Sequence, residues 1–211
     1  VHITSIDSND ITKDNVIEKL QNYTGIIVPG GFGKRGSEGK ILAIEYCRTH
    51  NIPFFGICFG MQLACIEYAR NVKGYQEASS TEIDPETPQP VIHQLSNQHK
   101  GMDMGGTLRL GLYDCKLTPN TKTQEAYQKE AVSERHRHRF EFNNNYKDIF
   151  DGDFVISGIN SETQLVEIVE LKNHNWFIAC QFHPEFSSRP YRPHPLFRDF
   201  IGAAKKYKLG A

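Results

Sequence analysis

The stretch FFGICFGMQ, residues 54–62, decides how the rest of the chain folds. Phe54 to Ile57 form a continuous apolar run, as in a strand covered on both faces, and Met61 opens a helical pattern, MQLACIEYARNV (61–72). Between them Cys58 stands in G-x-C-x-G, the thiol counterpart of the G-x-S-x-G turn that lifts a nucleophile off a strand into a helix. Two readings compete here. One is a small buried hydrophobe in a glycine turn, the usual fate of an unpaired cysteine. The other is a nucleophile whose thiolate faces the positive end of the following helix. On this stretch alone the two stand level.

The flanking sequence alternates in the same way. VHITSI (1–6) has the pattern of a strand, TKDNVIEKLQ (12–21) of a short amphipathic helix, and TGIIVPG (24–30) of a strand ending in a turn. GSEGKILAIEYCRTH (36–50) is a helix with Ile41, Leu42, Ile44 and Tyr46 near its inner face. Strands alternating with helices predict a parallel sheet covered on both sides. From Gly74 to about Lys100 the chain is polar, turn-rich and holds three prolines, which predicts a long loop with at most short strands. MGGTLRLGLYDCKL (104–117) and VSERHRHRFEFN (132–143) look like strands around a helical TQEAYQKEA (123–131). DFVISGIN (153–160), QLVEIVEL (164–171) and NWFIACQF (175–182) are successive strands, and HPLFRDFIGAAKKYKLG (194–210) is a terminal helix with lysines in its last turn.

Composition narrows the function classes without naming one. The 211 residues suit one domain with a substantial core, and a net charge of −1 gives no general pull toward nucleic acid or anionic lipid. No apolar run approaches the roughly 20 residues that span a bilayer, and the chain opens without the pattern of a signal peptide. Five scattered cysteines with no C-x-x-C pair argue against a disulfide framework or a zinc cage and for a reducing, cytoplasmic setting.

A reactive thiol needs a base and a place for an oxyanion. VPGGFGKRG (28–36) ends the strand before the Cys58 strand, so both turns belong at the carboxyl edge of the sheet, where α/β folds place their sites. Gly31 can then offer its amide to an oxygen near Cys58, with the Phe59 amide as second donor. The competing reading is a flexible glycine loop. A phosphate cradle is disfavoured because neither the P-loop nor the dinucleotide spacing is present. The base candidate lies in CQFHPEF (180–186). In an extended segment held by Pro184, His183 and Glu185 point the same way, so Glu185 can orient the imidazole toward the thiol. RHRHR (135–139) places three arginines on one strand face and His136 and His138 on the other; H-x-H without further ligands is weak support for a metal.

G-I-C-F-G-M-Q with a distant F-H-P-E-F, preceded by V-P-G-G-F-G, resembles the class I (triad) glutamine amidotransferases. Within them, SSTEID (79–84), MGGTLRLG (104–111), ERHRHRFE (134–141) and ACQFHPEFSSRP (179–190) resemble the glutaminase domain of CTP synthases, over nearly the whole chain from about Ile6. The resemblance implies an α/β fold with a mostly parallel central sheet, helices on both faces in a flavodoxin-like three-layer arrangement, and additional antiparallel strands. It implies Cys58 as nucleophile, His183 as general base and acid, Glu185 as its orienter, and the Gly31 and Phe59 amides as the oxyanion hole. Gly31, Phe59, Gly60, Met61, Gln62, Glu82 and Arg139 match positions that hold glutamine. A free amino acid offers an ammonium and a carboxylate, and Glu82 and Arg139 supply the complementary charges.

The resemblance further implies that residues 1–211 are one glutaminase domain, that the family's domain begins one strand and one helix earlier, and that a synthetase domain accompanies it elsewhere. That partner would use UTP, ATP and Mg, with GTP as allosteric activator, in a homo-oligomeric ligase of CTP biosynthesis. No cofactor, metal, nucleic acid or membrane is expected for this domain itself. Phe32 and Arg35, on the loop after Gly31, are the candidates for touching GTP. The family usually carries Leu where this chain has Phe59; because the backbone amide does the work, little effect on the oxyanion hole is expected, although a bulkier ring could still alter substrate entry. Two rivals are a γ-glutamyl cysteine hydrolase of similar fold and a non-catalytic assembly module with a vestigial site.

Overall fold

The computed structural model describes residues 1–94 and 109–208. The MGGTL part of MGGTLRLG lies outside the described residues. Among the described residues, ten strands and five α-helices are arranged in the order α1 (Val16–Leu20), β1 (Ile26–Val28), α2 (Ser37–Thr49), β2 (Phe54–Ile57), α3 (Phe59–Asn71), β3 (Ala78–Ser80), β4 (Gln89–Gln94), β5 (Arg109–Leu117), α4 (Lys122–Tyr127), β6 (Ala131–His138), β7 (Phe140–Phe142), β8 (Phe154–Ile159), β9 (Val166–Leu171), β10 (Phe177–Cys180) and α5 (Pro195–Lys208).

The central sheet runs β1-β2-β10-β9-β8-β5-β6. β1, β2 and β10 are mutually parallel, and the strands from β10 outward to β6 pair antiparallel. The alternating first third thus supplies the parallel edge, and the later strands supply the antiparallel extension. A second sheet, β3-β4-β7, stands beside it.

β2 is buried at all four positions, which is why its sequence is apolar without alternation. Its two faces serve two cores. Phe54, with Phe177 and Ala179 of β10, belongs to the core under α2 and α3. Phe55 and Ile57, with Ile178 and Cys180, belong to the core under α4 and α5, which sends in Ala126, Leu196 and Phe200. α3 is buried continuously from Phe59 to Ala69 because it lies between α2, the central sheet and the small sheet.

Three expectations need correction. VHITSI forms no strand: Val1 and Ile3 are almost fully exposed, and no described strand lies beside them to complete a hydrogen-bond ladder. VSERHRHRFEFN is two strands, not one. β6 belongs to the central sheet and β7 to the small one, and Arg139 is the joint between them. Residues 184–186 are a 3-10 turn, not extended, because the Phe186 amide donates to the His183 carbonyl at 3.1 Å with Pro184 opening the turn. Within the expected loop after Gly74, β3 and β4 pair with each other and β4 with β7.

Candidate active site

Cys58 leaves β2 with φ 52° and ψ −101°, a backbone conformation that a side-chain-bearing residue adopts only when its surroundings force it. Here the Cys58 amide donates to the Cys180 carbonyl at 2.7 Å, and the Cys58 carbonyl accepts from the Met61 and Gln62 amides. The turn is pressed down onto β1: a Cβ on Gly60 would lie 2.1 Å from the Val28 carbonyl oxygen. Only glycine allows α3 to start this close to the sheet. The sulfur is left in a buried position at the carboxyl ends of β1, β2 and β10, with the N-terminus of α3 behind it.

His183 reaches the same spot from the end of β10. Its amide donates to the Arg135 carbonyl at 2.9 Å, and its Nδ1 bonds Glu185 Oε1 at 2.6 Å. The interaction with the Cys58 sulfur, and second that with Glu185, push the imidazole up to about 10. Nε2 is buried and has no hydrogen-bond partner among the described residues. Burial pushes the Glu185 carboxyl up, but the bond from His183 and its own backbone amide more than offset this and hold it below its ordinary value. Gly30 allows the close approach of the ring, since a Cβ there would be 3.0 Å from His183 Cε1.

The Gly31 and Phe59 amides donate to no other group among the described residues. The Phe59 ring is buried and lies beside Gly31, with Lys40 Nζ 5.1 Å from its centroid. The ring is not among the side chains that line the cleft.

A cleft of about 300 Å³ opens over the sulfur, lined by Gly31, Phe32, Cys58, Gln62, Glu82, Arg137, His138, Arg139 and Phe140. Gln62, Glu82 and Arg139 are therefore brought together with Cys58. Burial raises the Glu82 carboxyl, against the lowering effects of the Gly33 amide and of Arg139. Gly60 and Met61 do not line the cleft; Gly60 faces β1, and Met61 is buried. Phe32 is exposed at the mouth, whereas Arg35 is exposed but outside the lining.

The arginines and histidines of RHRHR separate as expected, with Arg135, Arg137 and Arg139 exposed and His136 and His138 buried. Burial, then Arg109, pushes His136 down to about 2 and His138 down to about 3, so both rings are neutral. They form a chain, His136 Nδ1 to His138 Nε2 at 2.9 Å and His138 Nδ1 to the Phe140 carbonyl at 3.2 Å. Sequence reasoning missed Arg137, His138 and Phe140 as lining residues, and missed Gln181, whose Nε2 lies 3.7 Å from Cys58 Sγ. Its signal was present: in a strand, Gln181 and His183 share a face.

The glutamine amidotransferase class-I family pattern matches residues 2–203. The chain belongs to the class-I glutamine amidotransferases. It is similar to the CTP synthase of Bacillus velezensis (58% identity over 97% of this chain and 38% of the relative) and to that of Staphylococcus aureus (54% over 99% and 39%). The chain thus spans about two fifths of the length of these curated relatives. Among solved structures it is similar to the Trypanosoma brucei CTPS glutaminase domain with bound acivicin, with TM-score 0.90 and 36% identity, covering 97% of this chain and 81% of that one. Within the class-I amidotransferases, its likeness is therefore to the glutaminase domain of CTP synthases.

Proposed function

We propose that this amidotransferase domain hydrolyses L-glutamine at Cys58. The observation that carries the reading is one cleft holding a nucleophile on a strained turn with an acid and a cation, Glu82 and Arg139, for the two ends of a free amino acid, while an imidazole tied to Glu185 stands beside that nucleophile. Glutamine's ammonium pairs with Glu82 and its carboxylate with Arg139. The Cys58 thiolate attacks the side-chain amide carbon, forming the C–S bond and pushing the carbonyl electron pair onto oxygen, which the Gly31 and Phe59 amides stabilise. His183, protonated below about pH 10, gives its proton to the amide nitrogen; the C–N bond breaks and ammonia leaves. Neutral His183 then takes a proton from water, which attacks the glutamyl thioester, releasing glutamate and the thiolate.

The likeness to CTP synthases supports a larger role. In the whole protein, ammonia would pass to a synthetase domain that uses ATP and Mg to aminate UTP to CTP. GTP would activate the glutaminase half, with Phe32 and Arg35 as its contacts. The test is release of ammonia from glutamine by the purified chain and by the full-length protein, with γ-glutamyl peptides as competing substrates. The expected result is glutamine-dependent turnover lost in Cys58→Ser and His183→Ala, and coupled CTP formation in the full-length protein. Preference for γ-glutamyl peptides, or no glutamine turnover by the full-length protein, overturns the reading. GTP activation unchanged in Arg35→Ala removes Arg35 from the proposal.

A further inference from the structure

Gln181 is completely buried just past the end of β10, two residues before His183. Its backbone amide donates to the Glu167 carbonyl at 2.8 Å, its side-chain oxygen faces Gln62 Nε2 at 3.3 Å, and its side-chain nitrogen faces Cys58 Sγ at 3.7 Å. Gln62 Nε2 also donates to the Phe140 carbonyl at 2.7 Å.

The chemistry of these contacts fixes which way each amide points. The Phe140 carbonyl can only accept, so the Gln62 atom facing it is the nitrogen. Both Gln62 N–H groups are then spent, one on Phe140 and one on Gln181, and the Gln181 atom that receives the second is its oxygen. The Gln181 nitrogen is left facing the sulfur. Turning the Gln181 amide over would set N–H against N–H at Gln62 and leave a buried donor unpaired, which is costly in a site closed to water. A thiol would profit from an acceptor at this position and finds a donor instead. A donor favours the charged sulfur, because a hydrogen bond to an ionised acceptor is about twice as strong as one to a neutral acceptor.

We infer that Gln181 is a further catalytic residue, which donates to Cys58 Sγ and holds it as thiolate, with Gln62 acting through it as a positioning residue. The inference rests on the proposed role of Cys58 as nucleophile, and it gives Gln62 a second task beside lining the cleft. When the C–S bond forms, the sulfur loses its charge and the Gln181 bond weakens. The bond therefore acts alongside the His183 imidazolium, which also faces the sulfur, in raising the fraction of reactive sulfur before attack, and adds little to substrate binding.

The test is the pH dependence of iodoacetamide alkylation at Cys58, followed by mass spectrometry of its peptide, in the wild-type chain and in Gln181→Leu. The alkylation midpoint is expected to move up by about one pH unit, equivalent to a ten-fold smaller thiolate fraction on the acid side of the midpoint. In glutamine turnover on the acid side of that midpoint, kcat/KM is expected to fall by up to about ten-fold through kcat, with KM little changed. Should Gln181→Leu fail to fold, Gln181→Met keeps an unbranched side chain without the donor and carries the same expectation. A midpoint within about 0.2 units of wild type in a folded variant of either kind overturns the inference. Alkylation does not involve glutamine, so a shifted midpoint in a protein that fails to hydrolyse glutamine sinks the glutaminase reading and leaves the role of Gln181 standing.

Discussion

At the scale of single residues, the site depends on a backbone conformation that Cys58 holds against its own preference. With φ 52° and ψ −101° the residue is strained by about 1–3 kcal/mol, a strain that glycine does not feel. Glycine loses about 0.5–1 kcal/mol of chain entropy in exchange. Cys58→Gly is therefore expected to melt above Cys58→Ser by an amount equivalent to about 1 kcal/mol, although both abolish turnover; paired thermal melts measure it. His183 makes a second prediction. Its folded pKa, about 10, lies above the ordinary 6.5, chiefly through Cys58 and then Glu185. Its contribution to stability is thus fully present below about pH 6.5 and is lost as pH rises through about 10. In Glu185→Gln the His183 midpoint, followed by NMR titration, should fall below about 10 but stay above 6.5, because the larger cause, Cys58, remains, and the loss of stability should begin at lower pH.

Among the elements, the turn between β2 and α3 is the most constrained. Gly60 lies so close to the Val28 carbonyl that a methyl group there must displace either β1 or the start of α3. Gly60→Ala is expected to destabilise the fold by about 1–3 kcal/mol and to depress kcat more than stability alone explains, because the same displacement moves Phe59; urea unfolding together with turnover measures both. This turn was legible in the sequence because a strand, a helix and two glycines fall within nine residues. The break between β6 and β7 was not. VSERHRHRFEFN carries no glycine or proline, and nothing local says that Arg139 leaves one sheet for another. That break depends on contacts distant in sequence, β5 against β6 and β4 against β7. The step from His183 to Glu185 was seen as a pair for the wrong geometric reason. A 3-10 turn brings the two side chains together as well as an extended segment would have done. VHITSI shows the converse, a strand-like alternation that has no strand beside it.

Over the whole molecule, the two sheets are held together by a buried charge cluster. Arg109 of β5 reaches Glu167 of β9 at 2.6 Å and Glu141 of β7 at 3.3 Å, with all three side chains nearly or fully buried. Burial pushes Glu141 up to about 7 and raises Glu167 as well, and Arg109 opposes both. Removing the cation would leave two carboxyls without their partner, so Arg109→Met should cost about 3–5 kcal/mol in urea unfolding. Glutamine turnover should also suffer, since Arg139 and Phe140 lie just before Glu141. The central sheet divides the interior into two separately packed halves, and the reactive turn straddles them. Cys58 belongs to the half under α4 and α5, and Phe59, its neighbour and proposed oxyanion donor, to the half under α2 and α3. Loosening of either half therefore misaligns sulfur and amide while the other half remains intact. On slow heating, turnover is expected to disappear several degrees before the far-UV circular dichroism signal does. Coincident loss of the two signals would show that the halves melt as one unit.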